Sequence, residues 1–308
     1  MSDLPRFEAY INGASVAPST NEYFDTINPY TSQPWAEIAR CNADDANAAV
    51  DAAHKAFTSS EWATMSPTQR GALLHRFGDL LAEHAEELAE YEVRDNGKLI
   101  SEMGPQCSYI PQWYYYFGGL ADKIEGTVIP SDKPDIFNYT RNEPLGVVVA
   151  ITPWNSPLLL LSFKLAPALA AGNTVVIKPS EFTSTSTLRF VELFAEAGFP
   201  PGVVNVVTGF GNEVGAALVE HPKVAKIAFT GGSGSGARVY QAAAAGLKPC
   251  TLELGGKSPN IILQQVRIAK IKEKIMKFSR KSGIQSILFF SRPIDLGFHR
   301  SNTASSQF

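Results

Sequence analysis
The 308-residue chain is 44% hydrophobic and 19% charged with a net charge of −3, the balance of a water-soluble globular protein rather than a disordered or collagenous one. No apolar run reaches the length of a membrane span and the start "MSDLPRFEAYINGASV" has no basic region followed by an apolar core, so neither a membrane partner nor an export signal is expected. Three widely spaced cysteines, Cys41, Cys107 and Cys250, exclude a disulfide framework and a metal-type pairing, and point to a reducing, cytoplasmic location with no metal site.

In chain order, the segment up to about Cys41 reads as short strands and turns. "ADDANAAVDAAHKAF" is a helix with acidic residues at its start. Residues 66–97 read as one longer helix, with Ser66 as N-cap, Pro67 at the first position and an end at Asn96-Gly97. Its stripe is Leu73, Leu74, Phe77, Leu80, Leu81 and Leu88. "PQWYYYFGGLADKIEG" is a further helix whose aromatic residues are expected in the core. Residues 125–145 read as an extended arm or hairpin. From Gly146 the pattern switches to alternating strands and helices: "GVVVAITP", "PLLLLSFKLAPALAAG", "NTVVIKPS", "STSTLRFVELFAEAG", "VVNVVTG", "AKIAFTGG", "GSGARVYQAAAAG" and "PCTLELGG". Such alternation specifies an α/β fold with a doubly wound, Rossmann-like parallel sheet, here preceded by N-terminal helices and a hairpin arm.

Ligands on such a sheet sit outside the carboxyl ends of the strands. Four ends carry unusual residues: "TPWN" at 152–155, "KPSE" at 178–181, "FTGGSGSG" at 229–236 and "LELGG" at 252–256. Each also has a plain reading. Asn155 can cap the helix that follows, Lys178 and Glu181 can be a solvated pair, and the glycine run can be a flexible turn. That run nevertheless follows a strand and opens a helix, which leaves backbone N–H groups free for phosphate oxygens. Glu253, between apolar residues, is costly to bury unless it is paired or functional. "GFGNEVG" at 209–215 is a second, weaker glycine-rich match.

Together the strand-end motifs "ITPWNSPLLL", "AGNTVVIKPSE", "AFTGGSGSG" and "TLELGGKSPNI" resemble the aldehyde dehydrogenase superfamily, in its order and approximate spacing, over residues 6 to 263. The resemblance implies NAD-dependent oxidation of an aldehyde to a carboxylic acid through a cysteine thioester. It casts Asn155 as the oxyanion donor and Glu253 as the general base. It places the adenosine ribose on Lys178 and Glu181, whose carboxylate favours NAD over NADP. Gly231 and Ser233 become the pyrophosphate turn, and Pro153 and Trp154 the pocket wall. The same cleft takes in Ile151 and Thr152, Pro179 and Ser180, Gly211, Phe229 and Thr230, and Leu254 and Gly255 beside Glu253. A homo-oligomer built through the arm is implied as well, although a shortened chain puts that assembly in doubt.

The nucleophilic cysteine that the resemblance requires is absent. It is due near residue 285, where the chain reads "SGIQSILFFSRP", and no cysteine follows Cys250. Cys250 lies three residues before Glu253 in one strand, so the two side chains are expected on opposite faces, with Cys250 a buried structural residue. Residues 264–308 hold nine basic and two acidic residues, a net +7 against −10 for residues 1–263. An acidic body has no footprint for nucleic acid. The tail reads as the unrelated, poorly ordered end of a truncated or mis-spliced product. Its other reading is a basic amphipathic helix carrying Ile268, Ile271, Ile275 and Phe278. The expectation is therefore a dinucleotide-binding region over 1–263, catalytically inactive for want of a thiol. The alternative is a non-catalytic dinucleotide-binding or interaction protein.

Overall fold
A computed structural model describes residues 4–257, 260–262 and 287–289. Five short strands come first: β1 (Arg6–Phe7), β2 (Ala9–Ile11), β3 (Ala14–Val16), β4 (Tyr23–Asn28) and β5 (Gln33–Ala39). Six helices follow: α1 (Ala43–Ser59), α2 (Glu61–Thr64), α3 (Pro67–Glu83), α4 (Ala85–Asn96), α5 (Ile100–Tyr109) and α6 (Pro111–Leu120). A hairpin of β6 (Val128–Ile129) and β7 (Asn138–Tyr139) forms the arm, exposed throughout. The alternating half then runs β8 (Val147–Ile151), α7 (Pro157–Ala170), β9 (Thr174–Lys178), α8 (Thr185–Ala197), β10 (Val204–Val206), a π-helical turn over Gly211–Gly215, α9 (Ala216–Glu220), β11 (Val224–Thr230), α10 (Ser233–Ala245) and β12 (Cys250–Glu253).

The main sheet has the order β12-β11-β8-β9-β10-β2-β3. Its first five strands are parallel, and β2 and β3 extend it antiparallel past β10. Side-chain alternation divides the core into two layers. Val148, Ala150, Val175 and Ile177 face the layer containing Leu74, Phe77 and Phe190, whereas Val147, Val149 and Val176 face the layer containing Val50, Leu218 and Ala243. Both faces of β8 and β9 are thus covered, which explains their continuous apolar runs.

Two expectations from the pattern change. The helix expected over 66–97 is two helices that meet at His84, the C-cap of α3 and N-cap of α4. Its capping box at Ser66 and Gln69 and its left-handed Gly97 end are present. The aromatic segment of α6 is only partly core: Tyr114 is buried but Tyr116 is exposed. The short strands expected before Cys41 are present, and the hairpin β2–β3 joins the main sheet.

One compact unit runs from Met1 to Leu254 and another from Gly255 to Phe308. Within the second, Asn260–Ile262 (β13) pairs in parallel with Ile287–Phe289 (β14). The tail helix expected around Ile268–Phe278 and the order of the rest of the tail lie outside the described residues. Among the described residues, no helix is long and apolar enough to cross a membrane, and no group of His, Cys, Asp and Glu is placed to hold a metal ion.

Candidate active site at the strand ends
Strand register brings the candidate residues side by side. Ile151 at the end of β8 is paired with Lys178 on β9 and with Phe229 on β11, and Thr230 is paired with Glu253 on β12. Just beyond, the Thr152 amide donates to the Lys178 carbonyl at 3.2 Å and the Gly231 amide to the Glu253 carbonyl at 3.1 Å. The four motifs therefore line one edge of the sheet.

On β9, Lys178 is 3% exposed, with Pro179 buried beside it. Its Nζ donates to the Pro179 carbonyl at 3.0 Å and lies 3.6 Å from a Glu181 carboxylate oxygen. Burial lowers the Lys178 pKa, and the Glu181 charge works against that shift. The solvated-pair reading is thereby corrected: the lysine is interior and Glu181 half-buried. Ser180, half-buried, accepts through its carbonyl from the Thr183 amide and the Ser184 hydroxyl, fixing the turn into α8.

After β8, Pro153 is half-buried and Trp154 and Asn155 are exposed. Asn155 does not cap α7. The N-cap is Ser156, and no side chain of its own caps the helix. The first-turn amide of Leu158 instead donates to the buried Glu92 carboxylate at 2.8 Å. Burial pushes the Glu92 carboxyl up to about 7, against the pull of the Leu158 bond and the Lys98 charge. Lys98 Nζ also donates to Ser156 Oγ at 2.8 Å. The Asn155 loop thus stands on a network from α4 and the turn after it that no local motif revealed.

On β11, Phe229 is buried and Thr230 half-buried, and Gly231 leads into α10. A Cβ on Gly231 would lie 2.7 Å from the Phe229 ring, whereas Gly232 and Gly234 face open space. The first turn of α10, with exposed Ser233, has no side-chain cap, so its amides are open to an anion. Gly211, also exposed, opens the π-helical turn. These features suit a dinucleotide: uncapped helical amides and a backbone approach free of side chains for the pyrophosphate, and an acidic residue, Glu181, after β9 on the far side of β8 for the ribose.

Glu253 departs from expectation. It is exposed: among the described residues β12 pairs only with β11, and only one of its faces packs. Cys250 and Leu252 turn inward and Thr251 and Glu253 outward, so the opposite-face reading of Cys250 holds, although Cys250 is half-buried rather than buried. Burial raises its thiol pKa. Leu254 is exposed, as is Gly255, the first residue of the second unit. Lys164 on α7 was not singled out from sequence. Its Nζ donates to Thr230 Oγ1 at 2.5 Å, burial lowers its pKa, and the Glu253 charge opposes that shift. A lone charge inside "PLLLLSFKLAPALA" was the available signal. A cavity of about 670 Å³ opens beside the loops that follow β8 and β9, walled by Trp154, Glu181, Phe182, Phe210, Phe24 and Asp95 among others.

The sequence profile described as the aldehyde dehydrogenase family matches residues 16–283. Among relatives, the chain is 48% identical over 265 residues to (Z)-2-((N-methylformamido)methylene)-5-hydroxybutyrolactone dehydrogenase of Acinetobacter baylyi, covering 86% of this chain and 54% of that protein. It is 45% identical over 267 residues to fluoroacetaldehyde dehydrogenase of Streptantibioticus cattleyicolor, covering 86% and 52%. A solved NAD+ complex of aldehyde dehydrogenase from Bacillus cereus superposes with a TM-score of 0.82 at 44% identity, covering 86% of this chain and 54% of that one. The chain therefore spans about half the length of the relatives it matches. With the profile matching most of its residues and its strand-end motifs in register on one sheet, this chain belongs to the aldehyde dehydrogenase family.

Proposed function
We propose that residues 1–263 form the NAD-binding part of an aldehyde dehydrogenase, with NAD preferred over NADP. The carrying observation is the Lys178–Glu181 pair at the end of β9, abreast of the uncapped N-terminus of α10. The bound dinucleotide supplies the hydride acceptor. Glu181 accepts from the 2′-hydroxyl of the adenosine ribose and repels a 2′-phosphate, and Lys178 holds the same ribose. The amides after Gly231 meet the pyrophosphate, and Trp154 walls the cleft. Asn155 donates to the oxyanion that develops on an aldehyde substrate, and Glu253 takes a proton as general base. The solved relative from Bacillus cereus, an NAD+ complex, supports this reading. Calorimetry tests it: wild type binds NAD more tightly than NADP and Glu181→Gln narrows the gap. Equal or tighter NADP binding by the wild type contradicts it.

The thiols favour binding without turnover. Burial pushes Cys41 up to about 12 and Cys107 higher still, so neither supplies a thiolate, and Cys250 faces away from Glu253. On that reading these 308 residues bind the dinucleotide and leave aldehydes unoxidised. Val128, Phe137 and Tyr139, exposed on the arm, are the surface on which a homo-oligomer would be built.

A further inference from the structure
Arg40, just after β5, is paired with Glu213 in the π-helical turn, 173 residues away in sequence. Arg40 Nε donates to one Glu213 carboxylate oxygen at 3.1 Å and a terminal nitrogen to the other at 2.8 Å. Its remaining terminal nitrogen lies 3.4 Å from the Glu22 carboxylate. The guanidinium also stands over the Phe210 ring, 5.4 Å from its centroid. Phe210 and Glu181 line the same cavity. A planar cation matched to phosphate therefore stands over a ring that lines the same cavity as Glu181, and two carboxylates occupy it.

We propose that Glu213 is a specificity-determining residue: by engaging Arg40 it withholds this cation from the 2′ side of the adenosine ribose and keeps the cleft selective for NAD. The proposal rests on the assignment of the ribose to Lys178 and Glu181. Stability does not account for the pair. Arg40 and Glu213 are substantially solvated, at 41% and 31% exposure, where ion pairs contribute little. The turn is also anchored without them. The Cys41 amide donates to the Thr208 carbonyl at 3.1 Å and Thr208 Oγ1 to the Ala39 carbonyl at 2.6 Å, while the Glu213 amide closes on the Phe210 carbonyl at 3.1 Å. Glu213 thus complements Glu181: one carboxylate repels the phosphate directly, and the other neutralises the arginine that would attract it.

The test is the ratio of NADP to NAD dissociation constants, measured by calorimetry on wild type, Glu181→Gln, Glu213→Gln and the Arg40→Met/Glu213→Gln double variant. Glu213→Gln is expected to lower the ratio by roughly tenfold, the worth of one charge-assisted contact, and the double variant to restore it. Glu22→Gln, on the other exposed partner, is expected to lower it less and provides a second route should Glu213→Gln fold poorly. A ratio unchanged in both Glu213→Gln and Glu22→Gln, with the Glu181-dependent preference intact, overturns this proposal alone. So does a shift that persists after Arg40 is replaced. A wild type whose preference ignores Glu181→Gln overturns the ribose assignment and this proposal together.

Discussion

At the end of the central strand β9, Lys178 is 3% exposed and held by a backbone carbonyl and a carboxylate, whereas Glu253 at the end of edge strand β12 is exposed. The two residues close strands of the same sheet, and the difference lies in their neighbours. β9 is flanked by β8 and β10 and covered on both faces, so a charge there is desolvated and must be satisfied within the fold. Among the described residues β12 has one neighbour in its sheet, and it alternates half-buried with exposed residues. The side expected to bind the dinucleotide is therefore preorganised by packing on both faces, while the side proposed for acid–base work is held by one strand partner and one packed face.

That contrast breaks if centre and edge tolerate truncation equally. Phe77 on α3 is fully buried, stacked on Phe194 at 3.8 Å and edge-on to Tyr114 at 4.8 Å. Phe77→Ala is expected to cost about 3–5 kcal/mol, read from denaturant midpoints. A loss below about 1 kcal/mol would mean that this layer is not the core.

Glu92 sharpens the contrast through pH. Its carboxyl is raised to about 7, so between the ordinary glutamate value and about 7 the folded chain binds more protons than the unfolded one. Stability consequently falls as pH rises across that window, on the order of 3 kcal/mol, and then levels. Asp95, raised by burial to about 6 against its bonds from Thr185 and Thr26, adds a fall in the same direction over a lower window. Glu92→Gln can keep the bond from Leu158 and removes only the Glu92 part, leaving a shallower slope that flattens near pH 6. An unaltered pH profile would contradict the interior placement. The smallest effect is expected at the edge: Leu254→Ser, on an exposed side chain, should change stability by less than about 0.5 kcal/mol.

The sequence was most legible where one strand sufficed. "VVVAI" and "TVVIK" announce doubly covered strands, and the strand-end motifs name the cleft because each is contiguous. What escaped it is non-local or depends on position in the sheet. Neither Pro nor Gly marks the break at His84, and Gly104 and Pro105 obscure α5. "TLELGG" looks interior, yet an edge strand leaves one face of the same pattern to solvent. The Lys164–Thr230, Glu92–Leu158 and Arg40–Glu213 contacts join residues 66, 66 and 173 positions apart, which no single motif encodes.

These residues are proposed to bind a nicotinamide dinucleotide without oxidising aldehydes. An assay of NADH formation over a panel of aldehydes, with wild type and Cys250→Ser side by side, tests it most directly. The predicted result is no NADH above the protein-free rate for either. Turnover by the wild type that Cys250→Ser abolishes would show that the half-buried thiol serves as the nucleophile and would contradict the account.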